Sequence, residues 1–99
     1  MLFYINYGCT ECTEQLIVSA NSLQEAENYA RIEAEDIYYS YDCNYLDRYE
    51  YEELTDDEFA DMEFEYMNSD IFYFAEKYDK NNPIHIDVFE EQKGIPFEI

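Results

Sequence analysis

The residues best suited to metal or redox chemistry are three cysteines and a single histidine. Cys9 and Cys12 have the C-x-x-C spacing of a zinc knuckle or a redox pair, and Cys43 with His85 would complete a tetrahedral zinc site. A redox pair is expected at the start of a helix, whereas Cys9 and Cys12 lie between two predicted strands. No second pair at a fixed spacing accompanies them, and an odd number of cysteines argues against a disulfide framework. The pattern favours ordinary thiols, so we expect neither a metal ion nor another cofactor.

The remaining residues offer no recognisable catalytic arrangement. Paired carboxylates can act as general acid and base, but with 25 Asp and Glu residues any spacing arises by chance. His85 alternates with Ile84 and Ile86, which predicts a position on the outer side of a strand. The two glycines, Gly8 and Gly94, cannot form a glycine-rich phosphate loop. We therefore expect a protein that is not an enzyme.

Negative charge dominates the composition and is concentrated in one segment. Ten carboxylates fall within the nineteen residues from Asp47 to Glu65, where Arg48 is the one basic residue. Over the whole chain 25 acidic residues face five Lys and Arg, which gives a formal net charge of −20. Such charge opposes folding and repels nucleic acid and anionic membranes, so neither is expected as a direct ligand. The partner that this charge predicts is a strongly basic protein surface.

The chain nevertheless has the composition of a folded domain. It is 47% hydrophobic, with 12 Tyr and 7 Phe, whereas disordered acidic tails lack apolar residues. Its 99 residues predict a single domain over residues 1–99. There is no run of about 20 apolar residues to cross a membrane. The N-terminus has no basic leader and reaches Asn6 too early for a secretory signal, so we expect a cytoplasmic protein.

Two strands and a helix are predicted in the N-terminal part of the chain. Alternating residues predict strands over 2–7 and 14–20, which a polar loop over 8–13 joins into an antiparallel hairpin. Ser22 and Glu25 have the spacing of a capping box at the start of a helix. One stripe of that helix is apolar and should pack on the hairpin: Leu23, Ala26, Ala30, Ala34, Ile37 and Tyr41.

The other side of this helix carries Ile32 and Tyr39, with Tyr29 nearby, among acidic residues. One interpretation is scattered surface groups, or groups that another part of the chain covers. The other is an aromatic anchor patch of the kind found at binding hot spots. The sequence leaves both interpretations open.

A second helix is predicted to begin at another capping box, formed by Thr55 and Glu58. Three acidic residues in its first turn suit the positive end of the helix dipole. Its predicted core stripe is Phe59, Met62 and Tyr66. The preceding residues, 42–54, fit neither the helical nor the strand period.

One face of the second helix is predicted to be an acidic ridge. Asp57, Asp61 and Glu65 are four residues apart on a face different from the core stripe, with Glu58 beside them. Like charges at this spacing repel by a few tenths of a kcal/mol per pair. A sequence selected for stability alone would carry lysine at some of these positions, so the ridge points to a function.

The C-terminal part of the chain predicts a second hairpin. Residues 71–78 are rich in aromatic side chains and predict a strand, although a short helix over residues 70–79 is an alternative. The strand would pair with Ile84, Ile86 and Val88 through a turn over residues 79–83. Residues 94–97 are expected to form an irregular tail. The resulting order, β-β-α-α-β-β, predicts an α+β fold with an antiparallel sheet and its helices packed on one face.

The spacing of the carboxylates resembles that of phosphates on a nucleic acid. Duplex DNA presents one phosphate per roughly 3.4 Å of axis on each strand, and carboxylates one helical turn apart lie about 5.4 Å apart along the helix. Lys and Arg side chains placed for phosphates can pair with carboxylates in a similar geometry. The residues expected to bind the partner are Glu50, Glu52, Glu53, Asp57, Glu58, Asp61 and Glu65, with Tyr29 and Tyr39 as the rival patch.

In size, charge and aromatic content the whole chain resembles the small acidic anti-CRISPR and antirestriction proteins of phages. The resemblance rests on no sequence motif, so no functional residue carries over from it. It implies a non-catalytic nucleic acid mimic in the cytoplasm of a bacterial host cell. There it would block the basic nucleic-acid-binding surface of a CRISPR effector or a similar defence protein.

Two other functions are compatible with an acidic surface. An immunity protein or antitoxin that neutralises a basic nuclease toxin would use the same electrostatic attraction. Charge that only maintains solubility in a salt-loving organism is usually spread evenly over the chain. The concentration of acidic residues within 47–65 argues against that last interpretation.

Overall fold

The computed structural model describes residues 1–40 and 46–99. The predicted features at Tyr41 and Cys43 therefore lie outside the described residues. The described chain is an α+β domain, as predicted, with a short 3₁₀ helix at Arg48–Tyr51. Its other elements are β1 (Leu2–Gly8), β2 (Thr13–Ser19), α1 (Leu23–Ser40), α2 (Asp56–Asp70), β3 (Phe72–Lys77), α3 (Pro83–Glu91) and β4 (Phe97–Glu98).

The N-terminal hairpin forms as predicted, and the C-x-x-C motif is its turn. β1 and β2 are antiparallel, with Gly8 opposite Thr13 at the closed end. The Cys9 N–H donates to the Cys12 carbonyl (2.9 Å), and the Cys12 N–H donates to the Cys9 carbonyl (3.2 Å). Gly8 has a φ of +151°, and a β-carbon there would lie 2.1 Å from the Cys12 carbonyl oxygen. The turn therefore requires glycine at this position.

The sheet is mixed, whereas the sequence predicted a purely antiparallel one. Its strand order is β3-β1-β2-β4. β3 is antiparallel to β1, and β4 runs parallel to β2 at Val18 and Ser19. The C-terminal segment, predicted to be an irregular tail, thus contributes a short edge strand at Phe97–Glu98.

The predicted second hairpin is wrong, because residues 83–91 form a helix. The strand over 71–78 is confirmed as β3, which excludes the alternative helix over 70–79. However, β3 pairs with β1, and the segment after it becomes α3. The Asn82 side chain accepts hydrogen bonds from the N–H groups of Ile84 (2.9 Å) and His85 (3.4 Å), and Pro83 occupies the first turn. Asn followed by Pro is a helix start, and this local signal outweighs the alternation of Ile84, Ile86 and Val88.

Helices cover both faces of the sheet, although the sequence predicted only one covered face. On one face the alanines of α1 pack against Phe3, Ile5 and Val18. On the opposite face Val88 of α3 packs against Tyr4 and Ile17. The reason lies in β1, which carries large apolar side chains at successive positions and therefore exposes apolar surface on both sides.

The predicted start and alanine stripe of α1 are confirmed. The Ser22 side chain accepts from the Glu25 N–H (3.1 Å), while the Glu25 carboxylate accepts from the Asn21 N–H (3.3 Å). Ala26, Ala30 and Ala34 are completely buried. Leu23 is exposed and Tyr38 is buried, so the stripe shifts toward Tyr38 at its far end. Within the described ranges, no helix has both the length and the apolar character needed to cross a membrane.

The two glycines should respond differently to a methyl group. We expect Gly8→Ala to lower the free energy of unfolding by about 2 kcal/mol or more, because it combines an unfavourable φ with a clash against backbone. Gly94→Ala is the matched control, since Gly94 also has a positive φ (+70°) but a β-carbon added there would have no atom within 4 Å. The Gly94→Ala substitution should lower the free energy of unfolding by only about 1 kcal/mol. Urea unfolding of both variants measures the difference, and equal losses would contradict the described turn.

Candidate functional site

The second helix extends beyond the sheet as an acidic arm, which we define as residues 46–70. The two buried residues of α2 are Phe59 and Met67, and Met67 packs with Cys9 and Tyr38 at the end of β1. The molecule measures 54 × 23 × 18 Å. α1 is about 27 Å long and α2 about 22 Å long, so the long dimension matches two helices placed roughly end to end. The arm therefore projects past the Gly8 end of the sheet.

Arg48 holds the tip of the acidic arm together. Its Nη1 donates to the Tyr51 carbonyl (2.5 Å), and its Nη2 donates to the Leu54 carbonyl (2.7 Å). Nη2 also lies 3.3 Å from Asp56 Oδ1, and the guanidinium sits 4.9 Å from the centre of the Phe59 ring. The one cation of the acidic segment thus connects the 3₁₀ helix to the start of α2.

Side-chain caps define where the helices of the arm begin. The Asp47 carboxylate accepts from the Tyr49 N–H (2.9 Å). The predicted capping box of α2 is confirmed: Thr55 Oγ1 accepts from the Glu58 N–H (3.1 Å), and Glu58 Oε1 accepts from the Thr55 N–H (3.0 Å). Hydrogen bonds from Thr55 to the Glu58 carboxylate, first from the backbone and then from the side chain, lower the pKa of Glu58. Glu58 therefore has a structural use at the helix start as well as its place beside the ridge.

The carboxylates of the ridge point away from the buried side of α2. At about 100° per residue, Asp57, Asp61 and Glu65 lie on the side opposite Phe59 and Met67, and all three are exposed. They are about 6 Å apart along the helix axis, so the ridge is about 12 Å long. The other predicted residues are also exposed, and the structure brings all of them onto the arm: Glu50, Glu52, Glu53 and Glu58.

Exposed aromatic side chains accompany the ridge, and the sequence interpretation missed them. Phe59 is buried as predicted, but Tyr66, assigned to the core stripe, is 43% exposed. Phe64 is 56% exposed and lies on the ridge side, since it follows Asp57 by seven residues. Tyr49, next to Arg48, is 82% exposed. The seven-residue spacing between Asp57 and Phe64 could have predicted from the sequence that Phe64 lies on the ridge side.

The cations of the described chain lie apart from the ridge. In residues 1–40 and 46–99 the ion pairs are Arg31–Glu35, Arg48–Asp56 and His85–Glu76. Lys77 is at the end of β3 opposite Phe3, and Lys80 is in the turn that follows. Lys93 lines a depression beside Tyr78 at this same end of the sheet. α2 joins the sheet at the other end, where Thr10 hydrogen-bonds to Asp70. The molecule therefore has an acidic end and a lysine-bearing end.

The rival patch on α1 does not form as one surface. Tyr29 is half-buried against the core, and its ring stacks on Phe97 of β4 at 5.4 Å between centroids. Burial, followed by the Glu33 carboxylate, raises the pKa of the Tyr29 phenol. Tyr39 is 66% exposed and lies about 15 Å along the helix from Tyr29. Coverage by another part of the chain, one of the two interpretations, is thus confirmed for Tyr29.

His85 is a buried structural residue of α3, so its predicted place on the outer side of a strand is wrong. Its Nδ1 accepts from the Asp79 N–H (2.9 Å), and its Nε2 lies 2.7 Å from Glu76 Oε1. Because Nδ1 accepts, Nε2 carries the proton and donates it to the carboxylate. The ring also stacks on Tyr4 at 4.4 Å.

In this arrangement His85 cannot bind zinc together with Cys9 and Cys12. Both nitrogens of His85 are engaged, on the sheet face that α3 covers, whereas Cys9 packs with Tyr38 and Met67. Throughout residues 1–40 and 46–99 no three metal-binding side chains come together. Cys43, the remaining proposed ligand, lies outside the described residues.

Comparison with models of known protein families, with curated proteins and with solved structures finds no match to this chain. The resemblance to phage inhibitors therefore stays a prediction.

Arg48 should be far more important for the arm than its charge alone suggests. We expect Arg48→Lys to destabilise the arm by about 1–2 kcal/mol, because lysine cannot donate to two carbonyls and cover Phe59 at once. Amide hydrogen exchange at Leu54 and Phe59 should accelerate. Arg31→Lys is the control, since Arg31 makes a simple surface pair with Glu35 and should change stability by less than about 0.5 kcal/mol. Unchanged exchange in Arg48→Lys would contradict this role.

The capping carboxylate should make the start of α2 sensitive to acid. The folded pKa of Glu58 lies below its unfolded value. Its stabilising contribution is therefore complete above the unfolded pKa and is lost as the pH falls through the folded pKa. We expect the protection factor of the Thr55 amide, which corrects for the intrinsic slowing of exchange in acid, to fall on acidification in the wild type, and Glu58→Gln to reduce this dependence. Glu65→Gln removes a carboxylate from the same helix outside the cap. If it has the same effect, general charge rather than the cap is responsible.

Proposed function

We propose that this protein is a non-catalytic inhibitor that places its acidic arm in the basic nucleic-acid-binding channel of a bacterial defence effector. The observation that carries the proposal is the projection of α2, with its ridge of Asp57, Asp61 and Glu65 facing away from the fold. A helix is about 10–12 Å across with its side chains, so it is narrow enough to enter a channel built for nucleic acid. The effector would then be unable to bind its DNA or RNA.

The electrostatics of the ridge support a target that binds phosphates. Within the described residues, no Lys or Arg of the chain pairs with a ridge carboxylate, so these groups are available to a partner. Lys and Arg of the target can bind carboxylates in the geometry they use for phosphate oxygens. The partner would also remove the like-charge repulsion along α2. Binding and relief of repulsion therefore act in the same direction.

The separation of charge along the molecule supports an oriented approach. The acidic arm lies at one end, and Lys77, Lys80 and Lys93 lie at the other. A basic channel attracts the acidic arm more strongly than the other end, where three lysines offset part of the negative charge, and this difference orients the protein before contact and raises the association rate. Such a protein would act in the cytoplasm of the bacterial host, where defence effectors meet foreign nucleic acid.

Aromatic side chains on the arm support specific contact beyond charge. Phe64, Tyr66 and Tyr49 are exposed on the arm, and Phe64 lies on the ridge side of α2. Aromatic residues are enriched at the energetic centres of interfaces, whereas isolated charges at the rim mainly set the association rate. An arm that carries both can bind strongly as well as quickly.

Reversing the charge of the ridge tests the proposal. Asp57→Lys, Asp61→Lys and Glu65→Lys combined should weaken competition with nucleic acid by about a hundredfold or more. The stability of the fold should change by no more than about 1 kcal/mol, because attraction of the new lysines to the remaining carboxylates is offset by repulsion among the lysines and by loss of Asp57 from the first turn. The matched control is Asp87→Lys, Glu90→Lys and Glu91→Lys on α3, which makes the same charge change on exposed residues away from the arm. Competition is measured with labelled DNA or RNA on a panel of purified CRISPR effectors at two salt concentrations.

Two results would contradict the proposal. If the α3 control loses as much activity as the ridge variant, only net charge matters and the arm has no special role. If the ridge variant competes at full strength while Tyr29→Ala with Tyr39→Ala does not, the first helix is the binding face.

A further inference from the structure

The two sides of the central hairpin differ in how their outer backbone groups are covered. On the β2 side, the N–H of Ile17 donates to Gln92 Oε1 (2.7 Å) and the Ile17 carbonyl accepts from Gln92 Nε2 (3.0 Å). β4 then pairs with Val18 and Ser19. The remaining residues of this strand are 13–16, of which Leu16 alone is apolar. A side chain and a short strand therefore cover the β2 edge at residues 17–19.

On the β3 side, a row of backbone groups is left without partners in the described chain. The Tyr78 N–H donates to the Leu2 carbonyl (3.0 Å), and the hydrogen bonds of an antiparallel ladder alternate along the strand. One set of β3 residues thus directs its backbone groups toward β1: Phe72, Phe74 and Glu76. The other set directs its N–H and C=O groups away from the sheet: Tyr73, Ala75 and Lys77.

The free edge of β3 also carries exposed aromatic rings. Phe72, Tyr73 and Phe74 are successive residues and each is more than a third exposed. Edge strands are usually protected by Pro, bulges or charged residues, since unpaired backbone next to apolar side chains invites another strand. Here the first three residues of the strand have no such protection.

Charge and position identify what binds this edge. A second copy would bring together two chains that each carry −20. A basic protein is attracted instead, and its surface is near the edge once the acidic arm is bound, because α2 ends at Asp70 and β3 begins at Phe72. We propose that an extended segment of the same basic partner, containing Lys or Arg and apolar residues, adds to β3 as a fifth strand. This inference rests on the proposed function for the identity of the partner.

The added strand would be held in two ways. Its backbone would pair with the N–H and C=O groups of Tyr73, Ala75 and Lys77. Its apolar side chains would cover Phe72 and Phe74 on one face, and a cation on the other face could lie against the Tyr73 ring.

Amide exchange with a synthetic peptide tests the pairing. The probe is a peptide of alternating lysine and valine, about eight residues long, which is an ordinary strand length. We expect it to slow exchange at Tyr73, Ala75 and Lys77, while Phe72, Phe74 and Glu76, already bonded to β1, change little. An equally long peptide of glutamate and valine is the control and should have no effect. Slowing confined to the acidic arm would overturn the inference, as would equal binding of the glutamate peptide.

A proline substitution at an outward-facing amide distinguishes the contribution of backbone pairing to peptide binding from that of side-chain contacts. Ala75→Pro removes an N–H that makes no bond to β1, and edge strands tolerate proline at such positions. We expect it to raise the dissociation constant of the lysine peptide about tenfold or more, because one main-chain hydrogen bond is lost and the ring blocks its neighbour. Tyr73→Ala keeps the amide and should weaken binding less. Full binding by Ala75→Pro with an intact fold would overturn the inference; if that variant fails to fold, the exchange pattern of the wild type decides.

Failure of this inference can be told apart from failure of the proposed function. A ridge variant that loses competition with nucleic acid, combined with an edge that never becomes protected, refutes only the added strand. If the wild type alone is a dimer whose Tyr73, Ala75 and Lys77 amides are already protected, the occupant is a second copy and the assignment to a basic partner is wrong.

Discussion

Repulsion among 25 carboxylates, with five basic residues to oppose it, is the constraint on which the rest of the structure depends. Screening reduces such repulsion over about 10 Å at 0.1 M salt, so distance between charges is an effective remedy. The fold separates the ten carboxylates of residues 47–65 from the other acidic residues by placing them on the arm, in a molecule 54 Å long, although neighbouring ridge carboxylates still lie about 6 Å apart along the helix. The core remains apolar, with both faces of β1 covered by helices.

Among the residues that the structure describes, most of the interactions that hold the acidic arm are local. Arg48 joins the backbone carbonyls of Tyr51 and Leu54 to Phe59, and the capping box of Thr55 and Glu58 begins the helix. Met67 is the buried contact at the base. This arrangement leaves almost the whole circumference of α2 exposed, which a stable fold does not need but a ligand for a basic channel does. The base of the arm leads directly into β3, so an acidic surface and an open strand edge are adjacent along the chain.

The residues best suited to metal or redox chemistry have structural roles in the described fold. His85 links α3 to β3 through Glu76 and stacks on Tyr4, while Cys9 and Cys12 close the hairpin turn through their backbone groups. Gln92 plays a comparable part by bonding both backbone groups of Ile17. In each case a polar group satisfies a backbone or side-chain partner that would otherwise be left without one. Among the described residues, the groups that remain exposed include the carboxylates of the arm, several aromatic rings and the outward-facing backbone of β3.

The sequence by itself determined the features that depend on neighbouring residues. The hairpin, the alanine face of α1, the capping box at Thr55 and the separate face of Asp57, Asp61 and Glu65 all follow from periodicity and caps. Tertiary structure alone decided how β3 and β4 pair with the hairpin and which surfaces stay open. The helix at residues 83–91 has a local start signal at Asn82, but its place over Tyr4 and Ile17 is a tertiary feature. Likewise Tyr66 has the spacing of a core residue but is exposed, because α2 extends past the sheet and leaves it no surface to pack against. Burial and pairing are set by distant parts of the chain, and no local pattern records them.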